Sequence, residues 1–105
     1  MDTERAKAVF AELEKHLKAQ QSRYLNTQIW NAGDAVRCLE QAASEEEKEE
    51  IVRQYYRYLF PGGRGGLSDV VLWDDDLKTR IALNAPIVNA EKELQRIIEE
   101  ADQTE

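Results

Sequence analysis

Cysteine and histidine occur once each, as Cys38 and His16, and proline occurs twice. A lone cysteine excludes an internal disulfide and suits a reducing compartment, so the expected role of Cys38 is that of a buried structural thiol. One His and one Cys do not make a zinc site, and neither has an evident partner for nucleophilic catalysis. Long hydrophobic runs are missing too: nowhere do about 18 apolar residues follow one another. "MDTERAKAVF" lacks the basic-then-apolar order of a secretory leader, so the expected location is the cytoplasm, with no membrane partner. Positive charge is in deficit, 14 Lys and Arg against 21 Asp and Glu, a net charge of -7. Affinity for nucleic acid comes mainly from cations that neutralise phosphates, so nucleic acid is excluded as a partner.

What the chain does have is helical periodicity. Its 105 residues suffice for one domain with one core. Ala6, Phe10, Leu13, Leu17 and Tyr24 fall three, four or seven apart, on one helical stripe with Asp2 or Thr3 as cap, and the polar "QQSR" leaves its end open, near Gln20 or on to Tyr24. Ile29, Ala32, Val36, Leu39 and Ala43 form a second stripe, with Gly33 either inside the helix or just ahead of a start capped by Asp34. "SEEE" places Ser44 at an N-cap and Glu47 three residues on, the reciprocal capping pattern, ahead of Ile51, Val52, Tyr55 and Leu59. Pro61 and Gly62 stop that helix.

The stretch after the glycines reads two ways: "LSDVVLW" and "RIAL" could pair as a hairpin, or Asp74 or Asp75 could cap a short helix reaching Leu83. The helix is the preferred expectation. Asn84 should then cap a last helix with Pro86 in its first turn and Ile87, Ala90, Leu94, Ile97, Ile98 and Ala101 on its apolar face. The predicted fold class is all-α, a small antiparallel bundle of about four helices forming a single domain over residues 1–105, with a Gly-rich loop and room for a short extended segment near 67–73.

Candidate chemistry is sparse. Asp74, Asp75 and Asp76 lack the alternate spacing, the glycine and the distal glutamate of a calcium loop, so no metal is expected. "PGGRGG" lacks the Lys-Ser/Thr of a phosphate loop, and no cofactor is expected. Around the glycines, however, Tyr56, Tyr58, Arg64 and Trp73 gather in sequence beside Asp69 and the Asp run. Tyr, Trp and Arg are the residue types enriched at interface hot spots. These eight residues are the candidate partner-binding set; closure of the bundle end by the same aromatics is the structural alternative.

The tract "YYRYLFPGGRGGLSDVVLW", followed by "NAPIVNAEKELQRIIEEA", resembles small bacterial proteins in which a Tyr- and Leu-rich helix end runs into a Gly-Gly turn, a Ser or Asn, and an Asp. Such proteins look like the immunity partners of contact-dependent and other polymorphic toxins. The resemblance marks Gly65, Gly66, Ser68 and Asp69 as motif positions and implies no catalytic residues. The expected function is therefore that of a non-enzymatic immunity protein, which binds a basic toxin domain and blocks its active site or substrate access. The alternative is a small acidic adaptor or inhibitor docking on another host or phage protein complex.

Overall fold

The computed structural model describes residues 1–62, 66–67 and 70–103. Helix α1 (Thr3–Ala19) starts where the Asp2 carboxylate accepts the Arg5 amide at 3.1 Å, and it buries Ala6, Phe10, Leu13 and Leu17. The stripe does not reach Tyr24: the chain turns at Gln21, whose φ is 53°, and Tyr24 lies in the short 3₁₀ turn Arg23–Leu25, fully outside. Helix α2 (Asn26–Gln41) therefore begins ahead of Gly33, which is inside it. Asp34 is not its cap; that carboxylate accepts the Tyr55 hydroxyl and lies 3.4 Å from Arg37. Ala43, expected on the second stripe, is exposed beyond the helix end.

Helix α3 (Glu45–Leu59) is capped by Ser44, whose hydroxyl accepts the Glu47 amide at 3.2 Å. The Glu47 carboxylate reaches one residue further back than the reciprocal pattern requires, to the Ala43 amide at 2.7 Å. The helix stops before Pro61. A residue N-terminal to proline disfavours helical geometry, and Gly62 then takes a positive φ of 78°.

Residues 77–103 overturn the expected boundary at Asn84. A single helix, α4 (Leu77–Gln103), runs through it, with Pro86 in the interior. An interior proline removes the N–H that would bond to the carbonyl of Ala82, and its ring crowds the preceding turn, a defect costing roughly 3 kcal/mol in an isolated helix. Tertiary structure offsets it: His16 Nε2 on α1 donates to the Leu83 carbonyl at 2.7 Å, one residue from the defect.

Cross-chain bonds fix the topology. Arg5 pairs with Glu93 and Glu100, and His16 with Leu83, so α1 and α4 are antiparallel. Only residues 42–44 join α2 to α3, and the Tyr55 hydroxyl comes back to Asp34 and to within 3.7 Å of the Cys38 sulfur, so α2 and α3 are antiparallel as well. Thr3 donates to Glu45 at 3.2 Å at one end of the bundle, and Arg53 reaches Asp102 at 2.6 Å near the same end. The architecture is all-α, with no strand among the described residues. Phe10, Leu13, Leu17, Val52, Leu59, Leu94 and Ile97 fill the centre, and Phe60 and Leu67 plug the opposite end. Cys38 is half-buried. Burial, and then the bond to Asp34, push the Tyr55 phenol well above its usual pKa, so it remains a donor at any physiological pH.

Two predictions follow from these contacts. His16→Ala leaves the Leu83 carbonyl without its side-chain partner and should lower unfolding free energy by about 1 kcal/mol, read from urea melts, whereas His16→Gln should recover part of it. Second, Glu93 beside Arg5, Glu45 beside Lys48 and Thr3, and Asp76 bonded to the Thr79 hydroxyl and amide all have carboxyls held below their ordinary values. A depressed folded-state pKa contributes stability above the unfolded value and loses it as pH falls through the folded one. The midpoint of thermal unfolding should accordingly be insensitive to these groups above the ordinary Glu and Asp values of 4.5 and 3.8 and decline below them. Glu93→Gln should flatten that decline.

Candidate functional site

Burial along α4 divides it in two. Its buried residues, Ile87, Ala90, Leu94, Ile97 and Ala101, all lie beyond Pro86. The half from Leu77 to Pro86 has none, yet it is not polar: Leu77, Ile81 and, two turns further on, Val88 stand exposed at helical spacing. Beside them runs the segment 70–74, which has neither helix nor turn. The large apolar side chains that stand exposed, Tyr24, Trp30, Tyr58, Val71, Trp73, Leu77, Ile81 and Val88, therefore belong to the turn before α2, the start of α2, the end of α3, segment 70–74 and the first half of α4. By the antiparallel topology these segments share one end of the bundle.

Segment 70–74 is pinned there by a single side chain. The Asn84 carboxamide oxygen accepts the Leu72 amide at 2.8 Å, and its nitrogen donates to the Leu72 carbonyl, also at 2.8 Å. That nitrogen also donates to the Arg80 carbonyl at 2.8 Å within the helix. Asn84, read from sequence as a cap, is thus a clamp. Val70 and Leu72 pack inward on the core, while Val71 and Trp73 point out, 69% and 70% exposed. Upstream, Gly66 has a φ of 72°, and a Cβ there would collide with the Pro61 ring, so only glycine suits this turn. The Val70 amide then closes a turn on the Leu67 carbonyl at 3.1 Å.

The predicted site residues divide accordingly. Trp73 is prominent, with the Arg80 guanidinium 4.2 Å above its ring and its indole N–H donating to Asp75 at 3.2 Å. Tyr58 is exposed, with its ring edge-on to Tyr55 at 5.4 Å and its hydroxyl bonded to Gln54 at 2.6 Å. Tyr56 is instead half-buried against Phe60, ring centres 5.8 Å apart, and serves the core. Asp74 accepts the Asp76 amide at 2.8 Å, and Asp76 caps α4 by accepting the Thr79 amide and hydroxyl at 3.0 and 2.7 Å. The helix cap is therefore Asp76, not Asp74 or Asp75. Arg64, Gly65, Ser68 and Asp69 lie outside the described residues.

Sequence reasoning missed Val71, Leu77, Arg80, Ile81 and Asn84. The spacing of Leu77, Ile81 and Val88 would have revealed the stripe had residues 77–88 been read as one helix. Between α4 and Leu67, Val70 and Val71 lies a groove of about 440 Å³, walled on the helix side by Ile81 and Val88. A larger open groove, about 720 Å³, follows the α1–α4 seam over Val9, Leu13, Pro86 and Ala90. The bundle thus leaves more concave surface than its size suggested. At its rim, Arg5 pairs with Glu93 and His16 with Leu83.

Comparison with protein-family models, with curated proteins and with solved structures finds no match to this chain. Among the described residues no helix is long and apolar enough to cross a membrane.

If Asn84 alone pins the segment, Asn84→Ala should speed amide exchange at Leu72 by about tenfold or more while helical circular dichroism is retained, since it removes two local bonds of about 1 kcal/mol each. Unchanged exchange at Leu72 would show that packing of Val70 and Leu72 suffices.

Proposed function

We propose that this chain is a non-enzymatic binding protein of the immunity type, docking through its apolar end on a cognate toxin domain and occluding that domain's active site or path to substrate. One observation carries the reading: Val71, Trp73, Leu77 and Ile81 are all more than half exposed, on two adjoining segments held together by Asn84. Single exposed apolar residues are ordinary, but a contiguous group with a polar rim marks a surface meant to be covered. A tryptophan stacked under an arginine supplies the kind of anchor that dominates binding energy.

The acidic run gives this surface its selectivity. Asp76 is held anionic by Thr79, and Asp75 is exposed beside Trp73. Together with Asp74 they present carboxylates at the rim, which favours a basic partner and hastens its approach. A toxin domain that acts on nucleic acid has such a basic cleft.

Co-expression with a toxin domain encoded beside this chain should restore growth, and the two should co-purify. Trp73→Ala should weaken the complex about 30-fold or more, the loss expected of an aromatic anchor, with no change in the midpoint of thermal unfolding. Ile81→Asp should do the same. Asp75→Lys should act mainly on the association rate and on its salt dependence, because among the described residues Asp75 bonds no backbone amide and its replacement leaves the α4 cap intact. Full rescue by all three variants would refute docking at this end.

A further inference from the structure

The pinning of Leu72 has a consequence for its neighbours. In an extended chain the N–H and C=O of one residue point to the same edge, and those of the residues before and after point to the opposite edge. Both main-chain groups of Leu72 are turned to Asn84, which engages them as a paired strand would. Those of Val71 and Trp73 must then face away from α4. Among the described residues neither makes a main-chain hydrogen bond. The segment is therefore strand-like with one edge occupied and the other open, fixed in place by a clamp, a plug at Leu67 and inward packing of Val70 and Leu72.

We propose that the partner docks by adding an extended segment of its own to this open edge, pairing with the main chain of Val71 and Trp73. The proposal rests on the reading that this end of the molecule binds a protein, and it specifies how. Two features select the occupant. The unpaired donors and acceptors call for a strand, because only an extended backbone offers complementary groups at the same repeat. The carboxylates of Asp74, Asp75 and Asp76 at the end of the strap call for basic side chains on that strand, and the exposed Val71 and Trp73 side chains call for apolar ones next to them. The occupant is thus an alternating basic and apolar segment of a protein. An open edge in solution is also a hazard for self-pairing, which the strap limits by its shortness and by the adjoining acidic run.

The test uses the full chain, labelled with nitrogen-15, and a capped synthetic hexapeptide alternating lysine and valine. On saturation, amide exchange at Val71 and Trp73 should slow about tenfold or more, while Leu72, already bonded to Asn84, should change little. The same peptide N-methylated at alternate residues along one edge, so that it keeps its side chains but cannot pair through that edge, should bind at least about tenfold more weakly. Replacement of its lysines by glutamate should likewise weaken it, and Asn84→Ala in the protein should lower affinity for the parent peptide. Exchange at Val71 and Trp73 that is unaltered under saturating peptide, equal binding of peptides methylated on either edge, or no binding up to millimolar peptide would overturn strand addition. Loss of growth rescue in Trp73→Ala alongside any of those results would leave the docking surface standing, with side chains alone making the contact. Retained rescue in Trp73→Ala, Ile81→Asp and Asp75→Lys alike would remove the docking reading itself.

Discussion

A helix of 27 residues packed against helices of 15 to 17 cannot be covered along its whole length. At 1.5 Å per residue α4 is roughly 40 Å long, against about 25 Å for the others. This mismatch is the constraint from which the rest of the molecule follows. The buried stripe is confined to the part beyond Pro86, and α4 projects by its first turns past the contact between His16 and Leu83. The fold covers only part of that projecting stretch, by laying 70–74 along it. What is left uncovered is the apolar surface on which the functional reading depends.

Pro86 sits at the division between these halves, and the interactions around it show how tertiary contacts override local rules. On its own, the pairing of Asn84 with Pro86 two residues later is a competent helix start, because asparagine caps well and proline is tolerated in a first turn. In the folded chain the Leu83 carbonyl finds His16, and the Asn84 carboxamide is drawn to Leu72 and Arg80. A residue that looked like a cap at the start of a new element instead ties an existing element to a distant segment. His16, which on α1 alone looks like a boundary residue, acquires its role from the same defect.

How much of this could be read in advance depends on the range of the interactions. The α1 stripe from Ala6 to Leu17, the Ser44 cap and the stop at Pro61 are set by neighbours within a few residues, and they were legible. So was the apolar face from Ile87 to Ala101. The continuity of α4 was not legible, because Asn84 and Pro86 look locally like a helix start and the contacts around them, such as His16 with Leu83 across 67 residues of sequence, are distant. Trp73 could be picked out by residue type alone. Its neighbours Leu77 and Ile81 could not, since assigning them to a separate short helix or a hairpin hid their spacing with Val88. Tyr56 and Tyr58 show the limit of type-based reasoning, for two residues on one turn divide between core and surface.

The distribution of charge adds a last step. Glu40, the run from Glu45 to Glu50 and the pair Glu99 and Glu100 lie at the end of the bundle away from Trp73, along a molecule 45 Å in its longest dimension. At physiological ionic strength the field of an exposed charge decays over about 8 Å. A partner bound at the apolar end is therefore screened from most of the acid that gives the chain its charge of -7. The carboxylates nearest that surface are those of Asp74, Asp75 and Asp76 and, along the groove, Glu91; Lys78 and Arg80 lie in the first turns of α4. Net charge was thus a poor guide to the partner. For the proposed partner, the local arrangement favours a few basic side chains in register with a short acidic rim, next to an apolar surface.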